Sequence, residues 1–196
     1  MNTDLSKAKK RKVAWGITGS GDRLLETICV MKDIKEQYKN EVDIRVYLSK
    51  AGELVIKWYK LHDQLIQSFD KVLVEFGPNS PFLAGDLQLR KLEFLLIAPA
   101  TSNTVAKIAA GICDTLLCNS AIMALKSYVP VYIMPTDYKE GRTVTRLPNG
   151  KNLEIRVRKE DAENSRKLAN TDGVFVLEKP DGIGQVFEKH FNPKKA

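Results

Sequence analysis

The run Phe94-Leu95-Leu96-Ile97-Ala98 carries no polar side chain on either alternating face. A strand built this way must be covered on both sides, as inside a parallel sheet held between helices. Its continuation narrows the choice further. Pro99-Ala100-Thr101-Ser102-Asn103-Thr104 supplies a proline, hydroxyls and an amide, and Val105 to Ala110 then follows with helical spacing. Such a handover from strand to helix puts hydroxyls and free backbone N–H groups at the carboxyl edge of a sheet. Open α/β sheets bind ligands at that edge, and helix N-termini favour anionic or electron-rich groups.

The rest of the chain repeats the alternation. Val13 to Ile17 predicts a strand and Gly16 to Asp22 a tight turn; Leu24, Leu25, Ile28, Met31, Ile34 and Tyr38 then recur at helical spacing. Val42 to Leu48 alternates as a second strand. Ala51 to Ile66 reads as one amphipathic helix, with Leu54, Val55, Trp58, Leu61 and Leu65 on one side. Lys71 to Phe76 predicts a short strand, and Gly77-Pro78-Asn79-Ser80-Pro81 a loop by its turn residues. Helices over Asn103 to Ala110 and Asp114 to Leu125 lead to a strand over Val129 to Met134. This order predicts an α/β fold with a doubly wound parallel sheet and right-handed crossovers.

The C-terminal third differs. Thr143 to Leu147 and Leu153 to Val157 flank Pro148-Asn149-Gly150-Lys151-Asn152, and Asn-Gly between β-type runs predicts a hairpin. It reads as an excursion over about residues 142–158 with one solvated face. A helix near Ala162 to Leu168, a strand over Val174 to Leu177 and a helix over Ile183 to Phe191 complete the chain. One domain is expected over residues 13–196, after a basic tail over residues 1–12.

Composition excludes several classes. The chain has 196 residues, enough to bury a core. No apolar run approaches the ~18 residues of a membrane span, and no apolar region follows the basic N-terminus as a secretory signal needs. Cys29, Cys113 and Cys118 lack metal-like spacing and fall short of the about four cysteines that hold an iron–sulfur cluster; reduced thiols in a cytoplasmic protein are expected. The net charge of +7 gathers in the tail and between Lys139 and Lys167, where nine basic residues face five acids. Neither region interleaves aromatics or shows a nucleic-acid-binding motif. Such a surface attracts an acidic protein partner or a polyanionic cofactor.

Gly16-Ile17-Thr18-Gly19-Ser20-Gly21-Asp22 follows the first strand. It lacks the Gly-Lys-Ser/Thr ending of a P-loop, and its glycines are not spaced as Gly-x-Gly-x-x-Gly. Alone it admits two readings, a tight connection or a phosphate site. Ser49, after the second strand, reads on its own as a helix cap before a ligand hydroxyl. Asp22 reads as a helix cap rather than a base, and Trp15 and Trp58 as core residues.

Taken together, Gly19-Ser20-Gly21, Ser49 and Pro99-Ala100-Thr101-Ser102-Asn103-Thr104 resemble the superfamily of FMN-binding cysteine decarboxylases and flavin prenyltransferases. The resemblance continues from Thr104 through Lys107, Gly111 and Asp114 to Leu117. It covers about residues 13–135. Two groups of the decarboxylases are missing. Gly85 stands at the position of their catalytic histidine, the only histidines are His62 and His190, and Met134-Pro135-Thr136-Asp137-Tyr138 lacks the asparagine of their Pro-Ala-Met-Asn motif. Within the superfamily the chain is most similar to archaeal flavoproteins and the related dihydromethanopterin reductases.

The resemblance implies a Rossmann-like, flavodoxin-like sheet and non-covalent FMN. Gly19, Ser20, Gly21 and Ser49 would hold the phosphate. Thr101, Ser102, Asn103 and Thr104 would meet the isoalloxazine edge, with Cys118 and Asn119 near the ring or ribityl chain. Cys118 itself reads as a small buried residue rather than a redox thiol. No catalytic acid or base is assigned, because a flavin carries the electrons. The resemblance further implies ferredoxin as electron donor, a pterin as one possible acceptor, and a trimer-based homo-oligomer. Decarboxylase or prenyltransferase chemistry is disfavoured by the missing histidine and asparagine.

Overall fold

The computed structural model describes residues 9–192. Most of the expected basic tail, residues 1–8, lies outside them. Arg11 and Lys12, read as tail, instead open the first strand.

The elements run β1 (Arg11–Ile17), α1 (Leu24–Gln37), β2 (Val42–Leu48), α2 (Lys50–Trp58), α3 (His62–Ser68), β3 (Lys71–Val74) and α4 (Leu83–Gln88). They continue with β4 (Leu95–Ala100), α5 (Ser102–Ala110), α6 (Leu116–Lys126), β5 (Val131–Pro135), β6 (Gly141–Arg146), β7 (Asn152–Val157), α7 (Lys159–Ala169), β8 (Val174–Val176) and α8 (Gly182–Phe191). Six strands form one parallel sheet in the order β3-β2-β1-β4-β5-β8, and β6 and β7 pair antiparallel in a separate ribbon. The doubly wound sheet and the hairpin excursion are thus both present.

Alternation along the strands divides the core in two. Val13, Trp15, Ile17, Phe94, Leu96 and Ala98 face a layer made by α1, α2, α3 and α8. Ala14, Leu95 and Ile97 face α4, α5 and α6, with Leu168 of α7. All of these strand residues are fully buried. The Phe94–Ala98 run is therefore covered on both faces, as its composition requires.

Chain order reverses between β1 and β4, so the loops after these two strands splay apart at the sheet edge. This is the switch point where doubly wound sheets bind ligands. The two loops are tied together by one buried threonine. Thr18 Oγ1 donates to the Pro99 carbonyl at 2.8 Å and accepts from the Thr101 N–H at 2.8 Å. Thr18 N–H also reaches the Pro99 carbonyl, at 3.2 Å.

The segment read as one helix over Ala51 to Ile66 is broken. Lys60 adopts a left-handed φ of 57°, and Leu61 N–H bonds the Ile56 carbonyl, which ends α2 before α3 begins. The α2 residues that pack inward are Gly52 and Ile56. A side chain at Gly52 would sit 2.4 Å from the Ile17 carbonyl oxygen, so glycine lets α2 lie directly on the end of β1. Leu54 and Trp58 consequently face outward, at 68% and 58% exposure, and Trp58 is not a core residue. Trp15 is one, fully buried with its Nε1–H on the Ala98 carbonyl.

Candidate functional site

A cleft of about 470 Å³ opens at the switch point, lined by Thr18, Gly19, Ser49, Thr101 to Thr104 and Lys107 among others. The end of β2 delivers Ser49, whose hydroxyl accepts from Gly52 N–H at 2.9 Å and caps α2. The end of β4 delivers Thr101, whose Oγ1 accepts from Thr104 N–H at 3.3 Å and caps α5. Thr115 caps α6 on the third side. The positive ends of α2, α5 and α6 therefore converge on one cleft.

Glu75, which sequence reasoning missed, occupies part of that positive field. Its carboxylate is buried and accepts from Lys50 N–H at 3.2 Å and from Leu116 N–H at 2.8 Å. It thereby satisfies the first N–H groups of α2 and α6. No pattern around Lys71–Phe76 marks it; only the tertiary meeting of β3 with two helix starts does. The N–H groups of Gly19, Gly21, Ala51, Ser102 and Asn103 have no hydrogen-bond partner among the described residues. They are the donors left for a ligand.

Gly19, Ser20 and Gly21 form the turn beside this cleft. Ser20 is engaged locally: its N–H bonds the Thr18 carbonyl at 2.9 Å, and its Oγ accepts from Asp22 N–H at 3.2 Å. Asp22 caps nothing, because α1 starts from Arg23 without a side-chain cap. The glycines are required by close approach. A Cβ on Gly19 would lie 2.7 Å from the Ala51 Cβ, and one on Gly21 would lie 2.2 Å from the Tyr59 hydroxyl.

Cys118 and Asn119 point elsewhere in the fold. Cys118 is buried among the α4–α6 layer, where burial pushes its thiol pKa up. Asn119 Nδ2 donates to the Pro78 carbonyl and to Asn79 Oδ1, both at 2.9 Å, and so anchors the 77–81 loop. Neither lines the cleft within one chain. His62 starts α3, and His190 is held by Tyr132 at 2.9 Å against the Phe94 ring. At Gly85 a Cβ would lie 2.0 Å from the Phe82 ring, so that ring fills the space a larger side chain would need.

A second chamber of about 410 Å³ adjoins the first, sharing Gly19, Thr101 and Ser102 with it. The β6–β7 hairpin forms one wall and Val55, Trp58 and Tyr59 of the α2 end form the other. Asp22 and Asp137 line it, and burial raises the pKa of both above the usual aspartate range. Arg158 grips Asp161 through two hydrogen bonds of 2.9 and 2.6 Å, which hold the Asp161 carboxyl below that range. The Tyr59 hydroxyl donates to the Arg146 carbonyl at 3.0 Å and fastens the hairpin over the chamber.

No group of histidine, cysteine, aspartate or glutamate side chains among the described residues has the geometry to hold a metal ion, and no helix among them is long and apolar enough to cross a membrane.

Comparison with known proteins agrees with this architecture. An uncharacterized protein of Methanocaldococcus jannaschii is 49% identical, over 94% of this chain and 98% of that protein. The dihydromethanopterin reductase (acceptor) of the same organism is 32% identical, over 90% of this chain and 95% of its own length. Among solved structures, Burkholderia xenovorans DmrB in complex with FMN, described as a cubic protein cage for redox transfer, superposes with a TM-score of 0.79. It is 28% identical and the match covers 96% of this chain and 99% of that one. The profile of the flavoprotein family matches residues 1–186. With its switch-point cleft, near full-length relatives and this profile match, the chain belongs to the flavoprotein family.

Proposed function

We propose that the chain is an FMN-dependent reductase that receives electrons from a ferredoxin-like donor and delivers them to a reduced pterin. The observation that carries the cofactor assignment is the meeting of unpartnered N–H groups with the Ser49 and Thr101 to Thr104 side chains in one cleft at the switch point. These donors suit a phosphate monoester, and the Thr101–Thr104 segment suits the polar edge of an isoalloxazine. When bound, FMN supplies the electron chemistry. The chain's own residues orient it: Gly19, Ala51, Ser102 and Asn103 through N–H groups, and Thr18 by locking the two loops together. Cys118 and Asn119 lie behind this wall, Cys118 in the packed layer and Asn119 as anchor of the 77–81 loop.

The acceptor reading draws on the near full-length likeness to a dihydromethanopterin reductase. The donor reading draws on the charge of the hairpin, whose Arg142 and Lys151 are exposed. A basic face favours an acidic redox partner and loses that advantage in salt.

The test is direct. Purified protein should be yellow, release FMN on denaturation, and be bleached anaerobically by reduced ferredoxin. Raising salt, or the double change Arg142→Glu and Lys151→Glu, should slow the bleaching. A protein that stays colourless after reconstitution with FMN rules out the cofactor. Bleaching indifferent to salt and to charge reversal rules out the docking face but leaves the cofactor standing.

A further inference from the structure

The hairpin has two unlike faces. Register pairs Thr143 with Ile155 and Thr145 with Leu153, and these four residues turn toward the second chamber. Val144 and Glu154, paired on the other face, turn away from it. The inward residues Leu153 and Ile155 are nonetheless 43% exposed, and Trp58 across the chamber is 58% exposed. Two apolar walls thus face each other with space between them. A hairpin that served only as a solvated excursion would gain nothing from an apolar inner face.

The ends of the chamber are polar and differ in sign. Asp137 lies near Ser102, a residue common to both cavities, and Asp22 borders the chamber close enough to Asp137 to feel its charge. Arg156, paired with Arg142 on the outward face, borders the rim of the chamber on the hairpin side. Arg142 pairs with Glu154 and Arg158 with Asp161, while Arg156 has no carboxylate partner among the described residues.

We propose that this chamber is the binding site of the second substrate: a flat heteroaromatic ring carrying an N–H-bearing amidine edge and an anionic tail. The ring lies between Trp58 and the Leu153–Ile155 wall, the amidine edge meets Asp137 with Asp22 beside it, and the tail reaches Arg156. The assignment rests on the reading of the first cleft as a flavin site, because Ser102 and Thr101 are the floor between the two. A charged or polar ring edge left without these carboxylates would be desolvated and unpaired, so they govern selectivity more than affinity. Trp58 contributes to affinity through stacking, with no sequence of polar contacts needed.

Two fluorescent probes separate these roles. Pterin-6-carboxylate has the amidine edge and the tail; lumazine-6-carboxylate keeps the tail but has oxygen in place of the 2-amino group. Binding is followed by fluorescence titration of the protein with and without FMN, and FMN retention is read from absorbance after gel filtration. The wild-type chain should bind the pterin at least about tenfold more tightly than the lumazine. Asp137→Asn should bring that ratio close to unity. Trp58→Ala should weaken both probes by about tenfold. FMN retention should be unchanged in each variant. Equal binding of the two probes to the wild type, or indifference of both to Trp58→Ala and Asp137→Asn, overturns the proposal. If the wild type does not retain FMN yet discriminates the probes in the expected way, the chamber assignment holds and the flavin reading fails. If it retains FMN and binds neither probe, the reverse is true.

Discussion

Asp137 lines the second chamber, and its burial has a thermodynamic signature. Burial raises its pKa in the folded chain, outweighing the nearby Ser102 and Arg158, which favour the charged form. The folded state therefore holds the proton more strongly than the unfolded one. Stability falls as pH rises from the usual aspartate pKa, about 3.9, to the raised folded value, and the loss is complete above it. Asp137→Asn removes this cost while keeping the side chain's shape. The variant should melt at a higher temperature than the wild type at neutral pH, and thermal scans should bring the two together as pH approaches about 4. A gap that is constant across that range would mean that Asp137 is not held in a desolvated setting.

Among elements, the hairpin depends on few attachments to the rest of the molecule. Tyr59 at the end of α2 holds the Arg146 carbonyl, and Gly21 leaves room for the Tyr59 ring. Tyr59→Phe should cost about 0.5–1.5 kcal/mol, the net worth of one hydrogen bond. Hydrogen exchange across residues 141–157 should quicken while exchange in β1 and β4 stays slow; uniform protection would show that the latch is elsewhere. The same region shows what sequence could and could not reveal. Strands and long helices were legible because Phe94–Ala98 and the Leu24–Tyr38 stripe carry a clear period. Asn149-Gly150 likewise marked the hairpin. The break between α2 and α3 was not legible, because Leu54, Trp58, Leu61 and Leu65 keep helical spacing through a left-handed Lys60. The six-residue α4 was too short to show a period. In the site, hydroxyls and glycines were visible as motifs. Thr18 and Glu75 were not, since their partners lie 83 and 41 residues away.

At the scale of the whole molecule, the edge strand β3 stands out. Leu73 and Val74 are each 36% exposed and Phe76 is 83% exposed, next to the loop anchored by Asn119. Edge strands with uncovered apolar side chains invite pairing with another chain. A homo-oligomer built on this edge would cover these side chains. Val74→Ser with Phe76→Ser should lower the mass seen by light scattering toward that of one chain, 22.0 kDa. An unchanged mass would move the interface to another face.

Glu75 has a consequence for the size of the cofactor. By filling the first donors of α2 and α6, its carboxylate cancels positive potential at two helix ends and leaves α5 and the Gly19 turn to meet an anion. One phosphate suits that leftover field, whereas a pyrophosphate would add a second negative group to a cleft already lined by Glu75. The cleft is in this sense a ruler for mononucleotides. FMN should outcompete FAD by at least about tenfold in a fluorescence titration, and Glu75→Gln should narrow the gap. Equal affinities would mean that the glutamate serves the helices alone.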